Sequence, residues 1–428
     1  MSAQTGLSFE QAPPFSLPLR FFLTAPLFLL AAAGLLMWAP ESLASRWTPQ
    51  TLALTHALTL GFLAMAMLGA LMQMLPVVAG APLPAPRAVA GFSHLSLALG
   101  TIALMTGFLT TGPAAFGIGG VLLGGGFAVF LAAASVSLVR APGGVTVWGM
   151  RLAALCLVLT LLPGLGLALA RMRIGAWNLP VEAALAAHVA FGLLGWVLLL
   201  VIGVAFQVVP MFQITPPYPP RLSRWLAGAM FALLALRATA PLFPQPVVIL
   251  LDAGLAAGVL LFAFTTLNLQ SRRRRKLPDI TLDYWRLGMA SLIACVLAWL
   301  VAQLWPAWAD SNAYPVLLGV LFLVGFAVSV VAGMLYKIVP FLAWFHLQAQ
   351  LQAKAGTIPN MKQMIDEKRL RLQFRLHLAA LALLAAAVAW PSALHVPAGI
   401  VFALSALMLW SNLSAALRHY LQHGGRLS

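Results

Sequence analysis

Two histidines lie inside long apolar segments of this chain, where their chemistry is unusual. His56 falls within residues 51–79, and His188 falls within residues 181–212. Ionisable side chains are costly inside a bilayer and therefore mark candidate functional positions. A neutral imidazole presents a ring nitrogen that can ligate heme iron, copper or zinc. The pair predicts a cofactor site for heme b or a metal ion, and the alternative is a histidine that hydrogen-bonds to a neighbouring helix.

A spacing pattern recurs three times along the chain, at intervals of about 130 residues. Each copy contains a glycine before an aromatic residue, a second glycine, a Gln or Lys, and a proline. The copies are Gly61, Gly69, Gln73 and Pro76; Gly195, Gly203, Gln207 and Pro210; and Gly325, Gly333, Lys337 and Pro340. Pro82, Pro86 and Arg87 also match Pro216, Pro220 and Arg221 in offset. Periodic self-similarity of this kind indicates one structural unit used three times.

The two histidines do not occupy equivalent positions in this pattern. His56 precedes Gly61 by five residues, whereas His188 precedes Gly195 by seven. Two residues at about 100° each rotate a helical side chain by about 200°. The two imidazoles are therefore able to serve separate sites, and the third copy has Leu318 and Val320 at these offsets.

The composition predicts a polytopic membrane protein. Hydrophobic residues make up 62% of the 428 residues and charged residues only 8%, whereas a span needs about 20 apolar residues. Twelve such spans are predicted, four in each of the repeat units 17–140, 146–269 and 284–417 of a single membrane domain. They are residues 17–39, 51–79, 86–112, 114–139, 146–170, 181–212, 222–243, 245–269, 284–308, 313–345, 373–393 and 396–417. The recurring pattern falls on helices 2, 6 and 10, which we expect to be innermost, with each proline near the cytoplasmic helix end.

The basic residues predict the orientation of the chain. Twenty of the 25 Lys and Arg residues lie on the side that carries both termini, and three lie on the opposite side, namely Arg46, Arg171 and Arg173. The twenty include the run Arg272 to Lys276 and six residues between Lys354 and Arg375. This asymmetry predicts cytoplasmic termini in a bacterial inner membrane. Between two spans, the basic run indicates contact with anionic lipid rather than nucleic acid.

Other polar groups give weaker indications. Arg237 and Asp252 are expected to pair within one hairpin, and Arg237 is also a candidate partner for a heme propionate. Gln73 and Gln207 are interpreted as helix-to-helix hydrogen-bonding groups, and Lys337 as a residue that reaches the cytoplasmic interface. His94 and His377 are interpreted as interfacial residues or as a second pair. Cys156 and Cys295 form no CxxC motif, which disfavours iron–sulfur clusters and covalently attached heme.

These features together resemble a known architecture. Twelve spans in three four-helix units, with histidines on helices 2 and 6, resemble the catalytic subunit of heme–copper oxidases. The segment Thr55-His56-Ala57-Leu58-Thr59-Leu60-Gly61 is similar to a stretch of the NnrS family, whose members are twelve-helix heme- and copper-containing proteins associated with nitric oxide stress. By this resemblance, His56 takes the heme-ligand position of helix 2 and His188 the copper-ligand position of helix 6.

The departures from the oxidase pattern limit the expected chemistry. Residues 222–243 contain no histidine pair for copper, and residues 313–345 contain no heme ligand, since His346 follows Pro340 by six residues. We therefore expect a heme- or metal-binding protein of respiratory or nitrosative-stress physiology with an incomplete oxidase site. The expected partners are lipid and either a respiratory-chain protein or a second copy of the chain. A small-solute transporter and a ligand-free assembly protein are the alternatives.

Overall fold

The computed structural model describes residues 9–172, 180–274, 277–351 and 358–427, and contains helices but no strand within those ranges. The predicted positions of Arg173, Arg275, Lys276 and Lys354 lie outside the described residues. Twelve long helices are described: α1 (Ser16–Trp38), α2 (Pro49–Val77), α3 (Pro86–Thr110), α4 (Pro113–Arg140), α5 (Val145–Arg171), α6 (Val181–Gln213), α7 (Pro220–Ala238), α8 (Gln245–Ser271), α9 (Ile280–Leu304), α10 (Ala313–Leu351), α11 (Glu367–Ala389) and α12 (Pro391–Gln422).

Eleven of these twelve helices are long and apolar enough to cross a membrane. The remaining one, α7, has 19 residues and carries Arg221, Arg224 and Arg237. Shorter elements connect the long helices: 3-10 turns at Phe9–Gln11, Pro40–Leu43, Ala240–Leu242 and Met361–Gln363, and a single turn at Pro306–Ala309. The all-helical, multi-pass membrane character expected from composition is therefore present in the structure.

Local sequence explains where several helices begin. Thr48 caps α2 by accepting a hydrogen bond from the Thr51 amide at 3.2 Å, and Asp279 caps α9 through the Thr281 amide at 3.0 Å. Proline stands at the first position of α2, α3, α4, α7 and α12. A first-turn proline loses no intrahelical hydrogen bond and has its φ already set for a helix.

Three helices contain a π-helical segment, and they are the ones that carry the recurring sequence pattern. The segments are Ala57–Ala64 in α2, Phe191–Leu198 in α6 and Val320–Val328 in α10. Each contains the first glycine of its copy and the aromatic residue that follows it. The most apolar stretches of these helices are 83%, 67% and 72% buried, against 56% or less in the other candidate spans. These three helices are therefore the most buried of the candidate spans in the described part of the chain.

The repeated glycines share one packing role. A Cβ added at Gly61 or Gly69 would lie 2.3 Å from Phe28 or 2.7 Å from Phe21 of α1. A Cβ added at Gly195 or Gly203 would lie within 2.8 Å of Cys156 or Gly149 of α5, respectively. A Cβ added at Gly325 or Gly333 would lie within 2.8 Å of Ser291 or Tyr284 of α9. In each case the two partner residues are seven positions apart, which corresponds to two helical turns. Glycine is required because the preceding helix leaves no space for a side chain.

The chain forms two compact units. Unit 1 comprises residues 1–13, 71–96 and 112–277, and unit 2 comprises residues 14–70, 97–111 and 278–428. In unit 1, α5 packs on α6 at the Gly149–Gly203 contact, and α7 forms a hairpin with α8. In unit 2, α12 packs on both α1 and α11, and α9 packs on α10. The unit boundaries divide the first expected repeat and keep the second and third intact.

The prolines of the pattern do not behave alike. Pro76 and Pro210 lie in the last turn of α2 and α6, as expected. Pro340 lies inside α10, which continues to Leu351, so the expectation of a nearby helix end is wrong there. A proline removes one amide donor and kinks a helix without ending it when tertiary packing holds both parts. Buried Leu342, Ala343 and Leu347 provide such packing beyond Pro340.

Candidate functional site

His56 lies at the junction between regular α-helix and the π-helical segment of α2. Its Nδ1 is 2.7 Å from the Leu52 carbonyl oxygen, one turn earlier. A carbonyl only accepts hydrogen bonds, so Nδ1 carries the proton and Nε2 carries the lone pair. The ring is half-buried and stacks on Phe108 of α3, with centroids 5.0 Å apart. This side chain therefore has a fixed tautomer and a fixed ring plane.

His188 is held by a neighbouring helix rather than by its own. Its Nδ1 donates to the Thr160 carbonyl of α5 at 2.9 Å, which again leaves the lone pair on Nε2. The imidazole lies over Gly164, where an added Cβ would be 2.7 Å from Cε1. Gly164 thus makes room for the ring, and the Thr160 carbonyl sets its orientation.

The two histidines are therefore positioned independently. His56 belongs to unit 2 and bonds within its own helix, whereas His188 belongs to unit 1 and bonds to α5. The different offsets from the repeat glycine predicted separate surroundings for the two rings, and these separate carbonyl partners agree with that prediction. Hydrogen bonding of Nδ1–H to a carbonyl is also the arrangement that orients a metal-ligating histidine.

The two predicted charged positions both form ion pairs. Arg237 Nε lies 2.7 Å from Asp252 Oδ1, so the expected pair joins α7 to α8 within unit 1. Lys337 Nζ lies 2.8 Å from Oδ2 of Asp279, the cap of α9, with both side chains largely buried. The sequence predicted that Lys337 reaches the cytoplasmic interface, and it did not identify Asp279 as the partner. The two glutamines at the corresponding positions of the pattern differ from each other in burial: Gln207 is half-buried and Gln73 is buried. Within the described ranges, Gln73 Oε1 has no hydrogen-bond partner.

Unit 2 contains a buried polar network that the sequence did not reveal. Gln373 of α11 accepts hydrogen bonds at Oε1 from the hydroxyls of Tyr284 and Tyr336, the latter at 3.1 Å. Its Nε2 donates to Ser405 Oγ of α12 at 3.0 Å. Asn412 of α12 donates to the Tyr336 hydroxyl at 3.0 Å. These side chains lie on four helices and are at most 4% exposed, so the network joins α9, α10, α11 and α12.

The network begins at the basic end of α11. Arg369 donates through Nε to Asn412 Oδ1 at 2.9 Å and through Nη2 to Ser411 Oγ at 2.7 Å. Arg369, Gln373 and His377 are spaced four residues apart and share one face of α11. That spacing is the sequence signal for the network, since three polar residues on one face of a span predict polar neighbours.

His377 hydrogen-bonds to Ser329, the residue that follows the π-helical segment of α10. Its Nε2 is 2.8 Å from Ser329 Oγ, and the same hydroxyl donates to the Val324 carbonyl at 3.2 Å. Ser329 therefore accepts from His377, which carries its proton on Nε2. His377 is 1% exposed, so its interpretation as an interfacial residue is wrong. Its ring is drawn inward because Ser329 supplies a partner for it, while His94 is half-buried on α3.

His346 also differs from expectation. It was placed beyond helix 10, but α10 continues to Leu351 and includes it. The ring stacks on Phe15 with centroids 5.6 Å apart and an interplanar angle of 17°. Its Nε2 is buried without a hydrogen-bond partner in the described part of the chain.

Metal-binding capacity is limited to small ligand sets in the part of the chain that the structure describes. Those ranges contain no group of three or more His, Cys, Asp or Glu residues that could hold a metal ion. A structural zinc site needs four protein ligands and a catalytic one needs three. An axial heme ligand, by contrast, needs only one imidazole. No protein-family model matches the chain, and no curated protein matches it either.

Proposed function

We propose that the chain is a twelve-span membrane protein built from three four-helix repeats, in the heme–copper-oxidase-like arrangement that the sequence resembles. The glycine contacts support this proposal. In the units 17–140, 146–269 and 284–417, the second helix packs its two motif glycines on the first helix, at partner positions seven residues apart. Each second helix also contains a π-helical segment at the same place in the pattern. Such matching in three places is what a repeated unit produces.

The proposed location is a bacterial inner membrane with both termini in the cytoplasm. The support is the excess of Lys and Arg on one side of the predicted spans. The lipid bilayer is the first partner of the eleven apolar helices. A respiratory-chain protein or a second copy of the chain is the proposed protein partner.

The proposed activity is heme b binding through His56 as an axial ligand, and heme or metal binding through His188. The geometry of His56 carries this proposal, because its Nδ1–H bond to Leu52 leaves the lone pair on Nε2. π-Helical segments occur frequently at functional sites, and His56 directly precedes one. His188 has the same tautomer for an independent reason, its bond to Thr160.

A bound heme would supply one-electron redox chemistry and gas binding at its iron. The chain's own residues would orient the imidazoles, through Leu52 and Thr160, and exclude water by apolar packing. By the stated resemblance, this activity belongs to respiratory or nitrosative-stress physiology without a complete oxidase site. Copper at His188 is part of the same proposal. Arg237 contributes less to it, because Asp252 already pairs with its Nε.

The visible spectrum of the purified protein tests this proposal. Reduced-minus-oxidised spectra after expression with added heme should show a Soret band, and His56→Ala should lose most of the bound heme while remaining folded. His188→Ala should weaken heme binding or remove a separate metal. His377→Ala is the matched control, because its imidazole is committed to Ser329; it should lower stability and keep the heme-to-protein ratio. Wild-type protein without a Soret band or stoichiometric metal contradicts the proposal.

A transporter of a small solute is the second candidate. Its support is the combination of proline-containing, π-helical spans with polar groups inside unit 2, because interrupted helices in corresponding repeats form transporter binding sites. In this case the path of the solute would be lined or gated by Gln373, Tyr284 and Tyr336. A heme-free wild-type spectrum favours this candidate over the first.

A further inference from the structure

Two histidines lie on one face at the C-terminal end of α12, one in its last turn and one directly after it. His419 and His423 are four residues apart, and their ring centroids are 4.5 Å apart with an interplanar angle of 7°. His423 is exposed and His419 is half-buried. Side chains four residues apart are neighbours on a helix surface, which brings both imidazoles into reach of a single ion.

The orientation of His423 is set by the backbone. Its Nδ1 is 2.8 Å from the His419 carbonyl oxygen, so Nδ1 carries the proton and Nε2 carries the lone pair. The carbonyl oxygens at a helix C-terminus also carry partial negative charge, which favours a cation nearby. The Nε2 of the exposed His423 ring, which is able to ligate a metal, therefore points away from the His419 carbonyl oxygen.

The turn that bears the pair is held in place. Gly424 has φ +90, and the amides of Gly424 and Gly425 bond to the carbonyls of Leu421 and Tyr420 at 3.1 and 3.0 Å. This is the pattern of a Schellman cap, which stops the helix end from fraying. Tyr420 is fully buried and donates to the Arg426 carbonyl at 2.8 Å.

The segment after this cap is also tied to α10. Gln350 donates to the Arg426 carbonyl at 2.9 Å and accepts from the Arg426 amide at 2.8 Å. These two bonds and the buried Tyr420 fix the backbone that carries His419 and His423. A fixed backbone lowers the entropic cost of bringing two ligands onto one ion.

We propose that His419 and His423 form a two-histidine site for a divalent transition-metal ion, with water completing the coordination. Two helical histidines at this spacing are a recurrent metal-binding arrangement. Imidazole nitrogens bind zinc at about 2.0–2.1 Å and in the plane of the ring, so both rings must rotate out of their stacked arrangement to share one ion. Among the common divalent metals, Cu²⁺ is expected to bind most tightly. Residues 411–428 contain no Asp or Glu, while Arg418 and Arg426 repel cations, so the imidazoles must supply the affinity.

Copper titration of the full-length protein in detergent, purified without a histidine tag, tests the site. Wild-type protein should bind one more equivalent of Cu²⁺ than His419→Ala or His423→Ala, or bind that equivalent at least tenfold more tightly. Electron paramagnetic resonance should show nitrogen coordination that both variants lose. Because His423 is exposed, its replacement leaves the packing of α12 unchanged.

His395→Ala is the matched control for this experiment. His395 also directs Nδ1 to a carbonyl one turn earlier, that of Pro391 at 2.8 Å, but has no histidine four residues away. Its replacement should leave the copper stoichiometry and affinity at wild-type values. Equal copper binding by wild type, His419→Ala and His423→Ala overturns the proposal, as does loss of the same equivalent in His395→Ala.

Discussion

Helices α6 and α10 carry the same sequence pattern and the same π-helical interruption, yet they are surrounded by different chemistry. In unit 1, α6 retains His188, whose imidazole bonds to a backbone carbonyl of α5. In unit 2, α10 has Leu318 and Val320 at the histidine offsets. There the polar groups come from α11, where His377 hydrogen-bonds to Ser329 and Gln373 accepts a hydrogen bond from Tyr336.

This difference shows that helices with the same sequence pattern can have polar side chains in different surroundings. Each polar atom of Gln373 has a partner, and His377 completes a chain of hydrogen bonds that ends at the Val324 carbonyl. A fully satisfied buried network specifies a packing arrangement and resists change. We therefore interpret the polar network around α10 as structural, whereas His188 of α6 remains a candidate ligand in the proposed function.

The largest expected effect tests the packing that both helices share. Gly203→Val should prevent accumulation of folded protein, because the new Cβ would lie 2.8 Å from the Gly149 Cα of α5. Backbone cannot move aside as a side chain can, so we expect a loss of roughly 3 kcal/mol or more. Expression level and size-exclusion profile in detergent measure it. Gly319→Val is the control, since no atom lies within 4 Å of its added Cβ. Similar yields of the two variants would show that the glycine contact is dispensable.

The next effect distinguishes the polar interior of unit 2 from that of unit 1. Gln373→Leu removes the acceptor of the Tyr284 and Tyr336 hydroxyls and the donor to Ser405, and should cost on the order of 2 kcal/mol. The matched variant in unit 1 is Gln270→Leu. In the described residues Gln270 Oε1 lacks a partner, and its Nε2 bonds only to Gln213. Thermal unfolding in detergent should give a clearly larger drop in Tm for Gln373→Leu. A larger drop for Gln270→Leu would reverse our ranking of the two interiors.

The smallest expected effect concerns Lys337, which stands in the third copy of the sequence pattern where the other two copies have Gln73 and Gln207. Lys337→Gln should cost about 1 kcal/mol, because it removes the partner of the largely buried Asp279, while glutamine can still donate one hydrogen bond to the carboxylate. Asp279→Ala should cost more, since Asp279 also caps α9 and alanine has no side-chain acceptor for the Thr281 amide. In a double-mutant cycle, the two changes together should cost less than their sum. Strict additivity of the changes in Tm would show that the ion pair contributes nothing.

Much of the fold was predictable from the sequence because membrane spans follow local rules. Apolar length places each helix to within a few residues, as for 181–212 against Val181–Gln213. The glycine spacing identified the three most buried helices because glycines allow helices to approach closely. The continuation of α10 past Pro340 was not predictable, since tertiary packing decides whether a proline ends a helix or kinks it.

The candidate site was predictable only in part. His56 and His188 stood out because an ionisable residue in an apolar span is conspicuous in the sequence alone. Their tautomers were not predictable, because these depend on the Leu52 and Thr160 carbonyls. The role of His377 was misjudged, since its position near a helix start gives no sign of the inward-facing Ser329.

The sequence by itself determined which segments are helical and which positions need glycine, and it predicts the side that the basic residues favour. These properties depend on apolar length, charge and side-chain size, which each residue carries with it. Only the tertiary structure decided that Lys337 pairs with Asp279, that Gln373 joins four helices and that Gly164 makes room for His188. Those outcomes depend on which groups from distant parts of the chain meet, and hydrogen bonds form only at short range and in a suitable direction.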